Sequence, residues 1–80
     1  MTQLLINKVF TTVHTMLDAE RMTAKQVSTY PNAAACFCYT TAHDIDTGTV
    51  VAVTGMLNRL GIGFAIHDRT HGIYVLQINK

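Results

Sequence analysis

Eighty residues, 49% of them apolar, with six lysines and arginines against five aspartates and glutamates, make one small, nearly neutral globular domain whose core is marginal enough for a partner subunit to help. That composition excludes a disordered chain and a non-specific nucleic-acid coat, whose affinity would need a large excess of positive charge to neutralise phosphate. No apolar run approaches the roughly 20 residues of a membrane span, and Leu4, Leu5 and Ile6 run straight into Asn7 and Lys8, unlike a signal peptide, so cytoplasmic residence is the expectation.

The first element reads as a helix over about 2–20. Ile6, Val9, Phe10, Val13, Met16 and Leu17 recur at three- and four-residue steps and form one apolar stripe, with Asn7, Thr11, His14 and Asp18 on the opposite side. Its length and apolarity also make it the expected seam of a homodimer. Residues 22–28 admit two readings. Thr23 and Gln26 fit a capping box, whereas Ala24, Gln26 and Ser28 alternating with Lys25 and Val27 permit a short strand; Pro31 ends either one.

Over 33–43, Asn32 is a good N-cap and three alanines follow it, which favours a second helix. Cys36, Phe37, Cys38, Tyr39 and Thr40 favour a strand instead. The residues downstream tip the choice to helix. Ile45 in a turn, Asp46 as a cap, then Val50, Val53, Leu57 and Leu60 as a buried seam predict a helix over 47–60 closed by Gly61. The rival reading makes 34–41 a strand and gives an α-β-α-β-β two-layer sandwich. A hairpin is predicted over 62–78: Phe64 and Ile66 alternate with Gly63, Ala65 and His67, and Tyr74, Leu76 and Ile78 with Ile73, Val75 and Gln77, around a polar loop in which Gly72 can take a positive φ.

Residues 32–60 resemble the second and third helices of the winged helix-turn-helix DNA-binding superfamily, with the hairpin as the wing. The resemblance implies a mainly α fold with a small sheet (α+β), in the order helix, short strand at 22–28, helix, helix, strand, strand. It further implies a small transcriptional regulator, a repressor type, that binds double-stranded DNA as a homodimer and lays helix 47–60 in the major groove. The outward face of that helix would carry Thr47, Gly48, Val51, Ala52, Gly55, Asn58 and Arg59. Arg59 suits guanine and Asn58 adenine, Val51 and Ala52 suit a thymine methyl, and Gly55 lets the backbone approach. Arg69 and His71 at the wing tip and Lys25 would add phosphate contacts. Against this pattern, Gly48 and Gly55 stand where charged residues are commoner, and the face holds a single arginine. Val51, Ala52, Gly55 and Met56 equally form a flat, weakly charged patch suited to a protein partner, so the alternative is a regulator or inhibitor module that binds protein.

Neither a metal, a cofactor nor an enzymatic activity is expected. Cys36 and Cys38 with His67 and His71 total four potential zinc ligands, but one intervening residue is tighter spacing than structural zinc sites use. On a helix the two thiols would point about 200° apart; only on a strand would they share a face. Reduced, buried thiols are the simpler reading. His43, Asp44 and Asp46 read as turn and cap residues, and Gly61-x-Gly63 lacks the rest of a phosphate loop.

Overall fold

The computed structural model describes residues 2–17, 31–41, 44–68 and 72–80. Helix α1 (Gln3–Leu17) buries Ile6, Val9, Phe10, Val13 and Leu17 of the stripe its spacing predicts, and the sixth member, Met16, is half-buried against the core. Thr2 Oγ1 accepts from the Leu5 backbone N–H at 3.2 Å and caps its start. The hydroxyls of Thr11, Thr12 and Thr15 donate to carbonyls one turn back, which keeps these poor helix formers satisfied on the exposed side. The expected extension to residue 20, the short strand at 22–28 and Lys25 lie outside the described residues.

The helix expected over 33–43 is instead a strand, β1 (Ala33–Thr40). The physical reason is the alternation of Phe37 and Tyr39. On a strand both rings point to one side, where they meet Phe10 of α1 with centroids 4.9 and 5.1 Å away. A helix would turn them about 200° apart. Tertiary packing of two aromatic rings outweighs the few tenths of a kcal/mol per residue by which the alanines favour helix. Asn32 caps nothing here: its carbonyl accepts from Lys80 N–H at 2.8 Å and extends the sheet.

Helix α2 (Thr47–Arg59) matches expectation at both ends. Asp46 Oδ1 accepts from Thr49 N–H at 2.7 Å. At the other end Gly61, at φ 71°, donates to the Asn58 carbonyl and Ile62 donates to the Leu57 carbonyl, a Schellman motif. Leu60, expected in the buried seam with Val50, Val53 and Leu57, is corrected: it is the C-cap and is 57% exposed. The Schellman turn sends Ile62 into the core in its place, at 6% exposure.

Strands β2 (Phe64–Asp68) and β3 (Ile73–Asn79) form the expected hairpin. β3 is central, antiparallel to both neighbours, in the order β1-β3-β2. The fold is therefore α+β, two helices and a three-stranded antiparallel sheet, with the elements in the order α-β-α-β-β. The core lies between the layers, where Tyr39, Tyr74, Leu76 and Ile78 meet Phe10, Val13, Val53 and Leu57.

The N-cap supplies a pH-dependent stability term. The Thr49 backbone N–H, then the Thr49 side chain, hold the Asp46 carboxyl below the usual aspartate range. A depressed folded-state pKa stabilises above the ordinary aspartate value of about 3.9, and that stability is lost as pH falls through the lower folded value. Asp46→Ala is thus expected to lower the urea midpoint at neutral pH, and the gap to the parent protein should shrink at about pH 3. A gap unchanged between the two pH values would mean that the carboxylate charge plays no part in the cap.

Candidate functional site

The face of α2 singled out from the sequence is open to solvent. Thr47, Gly48, Val51, Ala52, Asn58 and Arg59 are exposed and Gly55 is half-buried. Arg59 reaches back over the preceding turn, so that a Cβ on Gly55 would stand 3.5 Å from the guanidinium. Arg69 and His71 lie outside the described residues. What differs is the surroundings of this face. With Ala33–Thr40 in the sheet, the described residues directly before α2 form no helix, so the helix pair expected over 33–60 is not formed by them.

A second surface was not foreseen. The N-terminal half of α1 lies beside the C-terminal turns of α2, and between them runs a groove of about 250 Å³ lined by Leu5, Lys8, Val9 and Thr12 from α1 and Met56 and Leu60 from α2. Its walls are mostly apolar. On its walls Leu5 is 36% and Leu60 57% exposed; Leu4, one residue before Leu5, is 79% exposed. The signal available in the sequence was an excess of leucine. Leu4 and Leu5 fall outside the stripe that carries Ile6, Val9 and Phe10, and a helix that needed only to cover its own sheet would not require them. A smaller concavity of about 210 Å³ opens between α1 and β1, where Gln3 Nε2 donates to Asn7 Oδ1 at 2.9 Å along its rim.

The other face of the sheet carries Cys36 and Cys38 of β1, opposite Gln77 and Val75 of β3. The strand geometry does bring both thiols to one face, and Cys36 is buried. His67 Nε2 and Gln77 Oε1 are 2.7 Å apart, a hydrogen-bond distance. Gln77 Nε2 donates in turn to Asn79 Oδ1 at 2.6 Å. This chain of side chains satisfies Gln77, a polar group only 8% exposed. Among the described residues no three His, Cys, Asp or Glu side chains are grouped to hold a metal ion. On the core side, burial and then the neighbouring Tyr74 push the Tyr39 phenol well above its ordinary value. Its hydroxyl donates to the Phe10 carbonyl at 2.9 Å, a structural hydrogen bond and not an acid-base group at neutral pH.

Among the described residues no helix is long and apolar enough to cross a membrane. Compared with known proteins, the chain matches no family model, no curated protein and no solved structure.

Proposed function

We propose that this domain is a protein-binding module that engages its partner through the groove between α1 and α2. The observation that carries this reading is the open, mostly apolar groove at one end of the helical layer, which Leu5, Met56 and Leu60 line and where Leu5 is 36% and Leu60 57% exposed. Scattered single leucines on a surface need no explanation, but leucines gathered at the rim of a concavity mark an interaction site. Anchors of this type fill partner pockets or receive partner side chains, with polar groups such as Lys8 and Thr12 at the rim.

A second reading keeps DNA as the partner. Asn58 and Arg59 are exposed on α2, free of the core, and have the donors and acceptors that base edges require. Two opposed measurements separate the readings. Fluorescence anisotropy with a random duplex of about 30 base pairs is expected to show little binding even at low salt, because few cations stand on the helical layer. A photo-crosslinking residue at Leu60 is expected to trap a protein in cells that make this chain, and the adduct should disappear when Leu5→Ser is added. The same group at Thr40, exposed on the sheet, serves as the control and should give no such adduct. Duplex binding that weakens steeply with salt and is lost in Arg59→Ala would overturn the protein-binding reading.

A further inference from the structure

Resting on the protein-binding reading, we infer that the groove between α1 and α2 receives an amphipathic helix with acidic flanks, whose apolar face lies along the seam of the two helices and whose carboxylates meet Lys8 and Arg59. The shape argues for a helix. The groove runs between two helices, from Leu5 to Thr12 along α1, which is about two turns or 10 Å. A third helix laid on such a seam packs at the usual 8–10 Å axis separation and offers anchors at i, i+3, i+4 and i+7 to a strip of this length.

Charge chooses the kind of helix. Neither α1 nor α2 contains an aspartate or glutamate. Their permanent cations are Lys8, on the wall of the groove, and Arg59, whose guanidinium lies over Gly55 next to Met56. An acidic partner therefore meets Lys8 on the α1 wall and, beyond the α2 wall, Arg59 next to Leu60, and neither helix sets a carboxylate against it. The same distribution weighs against a second copy of this chain on the groove, since that arrangement would bring Lys8 and Arg59 of two molecules together. It also weighs against nucleic acid, which would cover Leu5, Met56 and Leu60 with phosphate and sugar and leave their apolar surface without a match. Dimerisation through the main stripe of α1 is disfavoured on other grounds, because Ile6, Val9, Phe10, Val13 and Leu17 are already buried in the core.

The test uses the full 80-residue chain, isotopically labelled, and two synthetic helical peptides with the same leucine face. One peptide carries glutamates on its flanks and the other lysines. The glutamate peptide is expected to shift the amide resonances of Leu5, Lys8, Met56 and Leu60, and to bind about tenfold more tightly than the lysine peptide, the effect of two rim charge pairs changed from attraction to repulsion. The double substitution Lys8→Glu with Arg59→Glu, both at exposed positions, should invert that preference. Equal affinities for the two peptides, or shifts centred elsewhere, would overturn the inference. If neither peptide shifts any resonance while the Leu60 crosslink forms, the acidic-helix partner is excluded and the protein-binding reading stands. If the crosslink is also absent, both fall.

Discussion

Phe10→Ala is expected to lower the unfolding free energy by about 3–5 kcal/mol, a large share of the roughly 4–12 kcal/mol that a domain of this size possesses. Phe10 is 5% exposed and is the hub of the aromatic cluster. Its ring stacks on Tyr39 at 5.1 Å and 18° and meets Phe37 edge-on at 4.9 Å and 68°. Both partners come from β1, so the ring ties α1 to the sheet. Removing it sacrifices the buried area, two favourable ring contacts and the packing of whatever cannot collapse into the cavity. The backbone carbonyl of Phe10 remains to accept from the Tyr39 hydroxyl, so the substitution isolates packing from hydrogen bonding. Urea denaturation provides the measurement: the midpoint should fall with little change in slope, and Phe10→Leu, which keeps most of the volume, should recover much of the loss. A loss below about 1 kcal/mol would mean that α1 is not held to β1 through this ring.

That cluster also marks the limit of what could be read from the sequence. Elements whose pattern is local were legible: the α1 stripe, the Asp46 cap, the Gly61 stop and the alternation of β2 and β3 all follow from spacing and turn chemistry. The stretch 33–40 was not, because its local signals conflict. Three alanines after Asn32 favour a helix, Phe37 and Tyr39 favour a strand, and the deciding fact is a contact 29 positions away along the chain, the bond from Tyr39 to Phe10. The consequence of β1 reaches α2: with Ala33–Thr40 in the sheet, those residues do not supply the helix expected to precede α2, on which the recognition-helix expectation drew. The outward face of α2 itself was foreseen nearly residue by residue. Leu60 was not, because a regular heptad-like count continues the buried seam through it, whereas the Schellman turn ends the helix one residue earlier. The groove depends on that one residue being turned outward and on Leu5 standing next to it. Neither follows from the period of a single helix, since a groove between two helices is a property of their packing.

The second large effect is expected at Gly72. Gly72→Ala should cost about 2–4 kcal/mol, clearly more than Gly61→Ala at about 1–2 kcal/mol, although both glycines have almost the same backbone conformation, φ 74° and 71°. The shared part of the cost is the left-handed conformation, which an L side chain tolerates poorly. The difference is steric. A Cβ on Gly61 meets nothing within 4 Å, whereas one on Gly72 would stand 3.0 Å from the Thr41 backbone oxygen, an atom that cannot rotate away. Gly72 also accepts from Thr41 N–H at 2.8 Å, a bond at the end of the β1–β3 ladder that the displaced backbone would stretch. Because β1 carries α1 through Phe37 and Tyr39, loosening its end at Thr41 should be felt across the layers. Amide hydrogen exchange is expected to speed up at Tyr39 and Thr41 in Gly72→Ala, but only near the α2 C-terminus in Gly61→Ala. Equal costs for the two substitutions would leave the Thr41–Gly72 contact without a role, and β1 would then be fixed to β3 by its internal ladder and by the Phe10 cluster alone.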